Sequence, residues 1–177
     1  MFDAPLVPTS VGAEIADLKL FTAQSWVKKR WLLLKRRESD QPSSGRGATA
    51  LLSPRRVLQM AVAARLVELG MSPKAACNAA LQFTDRSNPL EAPGFERAPG
   101  ELYGGGALTA LCAYPDGTAA VVRADRKNTP FEQVFFPIGS ASVAGSGRKE
   151  GAIVLLLDFI VKGVAEQFAG LAERGEI

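Results

Sequence analysis

The stretch SPRRVLQMAVAARLVELGMSPKAA holds two helix starts of one kind, Ser53-Pro54 and Ser72-Pro73, with Gly70 between them. A serine oxygen accepts the free amides of a first turn, and proline at the first helical position gives up an N–H that has no partner there anyway. Val57, Leu58, Ala61, Val62, Leu66 and Leu69 recur at helical spacing behind Ser53, which predicts a long amphipathic helix. Gly70 supplies its stop. A shorter helix runs from Ser72 to near Thr84, with Ala76, Ala79, Ala80 and Phe83 inward. Any fold of this chain must seat this helix–stop–helix unit directly behind a cluster of arginines.

Upstream, Val11 to Leu20 reads as a short helix with Ile15 and Leu18 on one side, and Thr22 as the N-cap of a second, FTAQSWVKKRW. On a wheel of about 3.6 residues per turn, Ala23, Trp26, Val27 and Trp31 share one face and Gln24, Ser25, Lys28 and Lys29 the opposite one. Arg30 falls toward the apolar side and is expected at the helix end, its long stem reaching outward. Leu33 to Leu52 has Pro, Gly and Ser in its middle and apolar pieces at both ends, the pattern of two small strands and a loop.

Downstream, DRSNPLEAPGFERAPGELYGGG reads as a linker, its glycine run Gly104 to Gly106 as a tether. ALTALCAYPDGTAAVVRA has two apolar runs around the turn signal Pro115-Asp116-Gly117. EQVFFPIG offers a third strand, AIVLLL a strand buried on both faces, and Asp158 a cap for a final helix, FIVKGVAEQFAGLAE.

The net charge of +3 conceals a split. From Met1 to Pro89 there are 13 basic against 7 acidic residues, and from Leu90 to Ile177 8 against 11. Between Lys28 and Arg56 nine basic residues face only Glu38 and Asp40, which points to an anionic partner. The chain has no histidine, and Cys77 and Cys112 stand far apart in apolar company, so the usual zinc ligand sets are not available. Both cysteines are expected as small buried side chains. No cofactor is expected. MFDAPLVPTS lacks the basic and apolar regions of a signal peptide, and GAIVLLLDFIV, interrupted by Asp158, falls short of the about 20 apolar residues that cross a bilayer. A cytoplasmic, nucleoid-associated protein without a membrane partner is the expectation.

The ordered set AEIADLKLFTAQSWVKKRWLL, then GRGATALLSPRRVLQMAVAARLVELGMSPKAA, resembles the MerR-type winged helix-turn-helix family over about residues 11–83. In that family a hairpin wing with a Gly-Arg element leads into a serine-led helix and a short turn to the next one. This chain departs from the pattern in a longer wing loop, in lacking the arginine-aromatic pair at the wing's end, and in lacking the dimerising coiled coil and sensor cysteines. Without those cysteines no metal response is expected. The resemblance implies a winged helix-turn-helix DNA-binding domain over residues 11–86. With the linker read over 87–106 and the C-terminal antiparallel sheet and terminal helix read over 107–177, expected to serve dimerisation or effector binding, the expectation is an α+β protein.

A recognition helix in the major groove needs side chains that reach base edges and cations that sit near phosphates. Thr22, Gln24, Ser25, Lys28, Lys29 and Arg30 are the candidates there; Lys35, Arg36, Arg37 and Arg46 flank the wing. Arg55 and Arg56 stand in a first helical turn, where the macrodipole disfavours them and phosphate would offset that cost. A solvated helix face and a plain surface loop are the competing readings. Trp26 and Trp31 are expected in the core rather than as base-stacking platforms. Ile160, Val164, Phe168 and Leu171 form one stripe of the last helix and are the candidate dimer contact.

The resulting expectation is a sequence-specific double-stranded DNA-binding protein, a bacterial or phage transcriptional regulator acting as a homodimer, with RNA polymerase or another regulator as a further partner. The alternatives are an excisionase-like protein that bends DNA in recombination, or an antiactivator module that captures a protein. An enzyme is not expected, since Asp116 belongs to a turn, Asp158 to a cap, and no activated nucleophile is in view.

Overall fold

The computed structural model describes residues 5–32, 40–41, 49–87, 97–124 and 151–177. In chain order these hold β1 (Val7–Pro8), α1 (Thr9–Ile15), α2 (Leu20–Lys28), β2 (Leu51–Leu52), α3 (Pro54–Glu68), α4 (Pro73–Thr84), β3 (Leu108–Ala113), β4 (Ala119–Ala124), β5 (Ile153–Leu156) and α5 (Leu157–Glu173). The architecture is α+β, with five helices and two small antiparallel sheets among the described residues. No helix among them is long and apolar enough to cross a membrane.

The central element is α3, which begins where Ser53-Pro54 predicts: the Ser53 hydroxyl accepts the Arg56 amide at 3.4 Å. Val57, Leu58, Ala61, Val62 and Leu66 are buried, and so are Met60, Ala63 and Ala64, because α1, α4 and α5 all pack against this helix. Leu69, expected inward, is exposed, since the helix has ended one residue before it. The Gly70 amide then bonds the Val67 carbonyl and the Met71 amide the Leu66 carbonyl, a left-handed close that turns the chain into α4. Ala76, Ala79, Ala80 and Phe83 face the core as expected.

The first helix sits against α3 through Gly12, where a Cβ would lie 3.1 Å from Val57 Cγ2 and 3.2 Å from Leu52 Cδ1. An Arg65–Asp17 ion pair at 3.3 Å also links the two helices. That pair is exposed and worth only about 0–1 kcal/mol, whereas Ala13 is buried and Val11 and Ile15 pack against the core, so apolar packing seats α1. The Thr9 amide and hydroxyl both donate to the Ala50 carbonyl, and β1 pairs with β2 in the register Val7–Leu52 and Pro8–Leu51. Gln41 and Leu51 exchange both backbone hydrogen bonds across an isolated bridge.

Beyond α4, the stretch read as a linker is anchored where it is described. The Arg97 side chain is buried and its guanidinium donates to the carbonyls of Phe83, Ala98, Glu101 and Arg86 at 2.8–3.3 Å, gathering the end of α4 and the following turn around one cation. Tyr103 and Ala107 are buried on either side of Gly104 to Gly106, which form a turn into β3 rather than a slack tether.

β3 and β4 make the expected hairpin. Asp116 Oδ1 accepts the Thr118 amide at 2.9 Å and hydroxyl at 2.7 Å, and Gly117 takes a positive φ against Ala75 of α4, where a Cβ would meet backbone at 3.0 Å. The sheet order is β4-β3-β5. β5, expected to be buried on both faces, is half-buried, because it lies at an edge of the described sheet. It runs into α5 without a loop, and Asp158 accepts the Thr109 amide of β3 at 2.8 Å instead of capping its own helix. The third strand expected at EQVFFPIG lies outside the described residues. Tyr103, Leu111, Val121, Leu157 and Val164 join Trp26, Val57 and Phe83 in one buried cluster, so the hydrophobic core runs through both halves.

Candidate nucleic-acid interface

The α1–α2 pair owes its shape to two tight helix ends. At the first, Asp17 takes φ 53°, with the Asp17 amide on the Glu14 carbonyl and the Leu18 amide on the Ala13 carbonyl. Lys19, in extended conformation, then leads into α2, which starts at Leu20, two residues before the predicted Thr22 cap; the Thr22 amide bonds the Lys19 carbonyl. At the second, Arg30 takes φ 57°, with its amide on Val27 and the Trp31 amide on the Trp26 carbonyl. Left-handed backbone costs a non-glycine residue about 1–2 kcal/mol, and this pair of helices carries it twice.

Ala23 and Trp26 bury one side of α2, Trp26 at 2% exposure, and Val27 and Trp31 pack beside them. The indoles are thus core groups, as the spacing predicts. This pins the opposite side outward: Gln24, Lys28, Lys29 and Arg30 are exposed, and Thr22 and Ser25 half-buried. Lys29 Nζ lies 4.5 Å from the centre of the Trp31 ring, a contact that holds the ammonium at the helix end. The cations at the C-terminal end of α2 also favour its dipole. No acidic residue occurs between Asp17 and Glu38, so nothing on α2 itself neutralises them.

Phe21 and Leu20 belong to this surface too, at 83% and 43% exposure, two apolar positions that a cap at Thr22 would leave outside the helix. Starting the helix at Thr22 left Phe21 outside the wheel. Counted from Leu20, Phe21, Gln24 and Lys28 fall at i, i+3 and i+7, one stripe.

The arginines of α3 do not join this surface. Arg56, expected to meet phosphate, is fully buried: Nε lies 3.3 Å from Asp40 Oδ2, one terminal nitrogen donates to Gln59 Oε1 at 2.6 Å and the other to Asp85 Oδ1. The Asp40 carboxylate also accepts the Ser53 amide and hydroxyl, at 3.0 and 2.8 Å. Two carboxylates, from the start of the chain leading to β2 and from the end of α4, offset the helix-dipole cost that had suggested phosphate. Arg55 reaches the carbonyls of Thr84 and Pro99 at 2.8 and 3.1 Å, tying α3 to the same corner as Arg97. Lys35, Arg36, Arg37 and Arg46 lie outside the described residues.

Of the predicted dimer stripe, Val164 and Leu171 are buried and Ile160 and Phe168 pack against the core, with α5 lying on α3. That apolar face is used within one chain. Burial pushes the Cys77 thiol up to about 12 and the Cys112 thiol up to about 11, which leaves neither as a thiolate near neutral pH. The cleft between Gly70–Ser72 and Pro115, Ala152 and Ile153 is lined without an ionisable side chain.

No protein-family model matches this chain, and no curated protein matches it in sequence.

Proposed function

We propose that this chain is a sequence-specific double-stranded DNA-binding protein of the winged helix-turn-helix kind, a cytoplasmic, nucleoid-associated transcriptional regulator of a bacterium or phage. The observation that carries the reading is the outer face of α2: an amide, a hydroxyl and three cations on a helix whose other side is held by Trp26, with no carboxylate of its own. In this reading α1 crosses the phosphate backbone, α2 lies in the major groove with Gln24 and Ser25 toward base edges, and Lys28, Lys29 and Arg30 take phosphates or guanine. A regulator of this kind acts as a homodimer; since the α5 stripe is turned inward, the two-fold contact would come from another surface.

Salt titration of binding to duplex DNA tests the proposal. Affinity should fall steeply as salt rises, and Lys28→Ala and Lys29→Ala should each lower the slope of log affinity against log salt by about 1. Binding to no duplex, or binding indifferent to salt, refutes it.

A further inference from the structure

Phe21 is the most exposed large apolar side chain among the described residues. It has no place in a purely ionic surface, and its neighbours along the stripe are unlike it: Gln24 carries an amide and Lys28 an ammonium. A protein groove that accepts a helix asks for apolar groups at i, i+3, i+4 and i+7. Here Phe21 is followed by Gln24, Ser25 and Lys28 instead, with Leu20 as its only exposed apolar companion on α2. The sequence of chemistries along the helix is methyl-seeking, amide, cation. The major-groove edge of duplex DNA offers that set, and its apolar element is the C5-methyl group of thymine.

Resting on the DNA-binding reading above, we infer that Phe21 is a specificity-determining residue that contacts a thymine methyl group in the major groove, one step from the base that Gln24 reads. With a rise of about 1.5 Å per residue, Phe21 and Lys28 are separated by about 10 Å along the helix, roughly three base steps. The amide of Gln24 suits adenine N6 and N7, and the ammonium of Lys28 suits guanine or a phosphate. The site read by α2 therefore has an A·T pair under its N-terminal turn and a G or a backbone contact under its C-terminal end. Because Phe21 is outside the core, replacing it leaves the packing of Ala23 and Trp26 intact.

Deoxyuridine differs from thymidine in that single methyl group. Duplexes selected from a random library by the wild-type chain, with thymines replaced one at a time by deoxyuridine, are titrated by fluorescence anisotropy at fixed salt. One replacement per half-site should weaken wild-type binding about 4-fold. Phe21→Ser should bind the thymine duplex as weakly as wild type binds the deoxyuridine one and show no further loss on replacement, with an unchanged salt slope and melting temperature. Phe21→Leu should keep part of the discrimination. A wild-type chain indifferent to every replacement, or Phe21→Ser still sensitive to the same one, overturns the inference while leaving DNA binding standing. A wild-type chain that selects no duplex overturns both.

Discussion

Lys28, Lys29 and Arg30 close α2, and Arg55 and Arg56 open α3; in the sequence both are runs of adjacent cations in a basic segment, and the fold gives them opposite roles. The first run lies at the end of a helix where positive charge is favoured and stays in water. The second lies at the end where it is disfavoured: Arg56 is drawn inside by Asp40, Asp85 and Gln59, and Arg55, half-buried, is held by main-chain carbonyls. A cation is an internal clamp or an external contact according to what the rest of the chain delivers to its tip.

Breaking the clamp should have the largest effect. Arg56→Ala leaves two carboxylates without their shared cation, and removing one partner of a buried pair costs about 3–5 kcal/mol; urea unfolding should show it, and a midpoint equal to wild type would mean that the cation is not the hub. Arg55→Ala removes two charge-assisted hydrogen bonds that are partly open to water, and should cost about 1.5–3 kcal/mol in the same measurement. Arg30→Gly should do the reverse. Relief of the left-handed backbone, less the extra freedom of unfolded glycine, should raise stability by about 0.5–1 kcal/mol while weakening duplex binding. A loss of stability at position 30 would show that the arginine side chain is structural after all, and the contrast between the two runs would fall. The smallest effect expected is none: Cys77 and Cys112, with thiols raised to about 12 and about 11, should not react with a disulfide reagent at pH 8 until the chain unfolds. A folded acid with a raised pKa binds more protons than its unfolded form, so these thiols stabilise below pH 9 and lose that contribution as the pH climbs toward 12. Thermal melts from pH 8 to 11 in Cys77→Ala should fall less than in wild type.

What the sequence disclosed and what it hid follow one physical line. Local signals were readable: Ser53-Pro54, Gly70 and Pro115-Asp116-Gly117 each act on atoms within a few residues, and each stands where expected. The start of α2 was misplaced because its cap is Lys19, which makes no side-chain capping bond, while Thr22 looks like a better one. The fate of Arg56 was out of reach, since its partners Asp40 and Asp85 come from other parts of the chain and only tertiary contact brings them to it. The α5 stripe could not show what covers it: amphipathicity states only that a face is apolar, and within the chain α5 packs on α3 and β3, with Val164 in the core cluster. Arg97 inside a glycine- and proline-rich stretch was hidden for the same reason, its acceptors being carbonyls that carry no sequence signature.

That α5 lies on α3 has a consequence for how the chain is made. A ribosome that has finished α4 has produced the first four helices, yet the flank of α3 destined for α5 is still bare until the last helix emerges. The nascent chain therefore exposes a sticky surface for the whole interval in which the sheet is synthesised, and a gene fragment cut after residue 87 would leave it so for good.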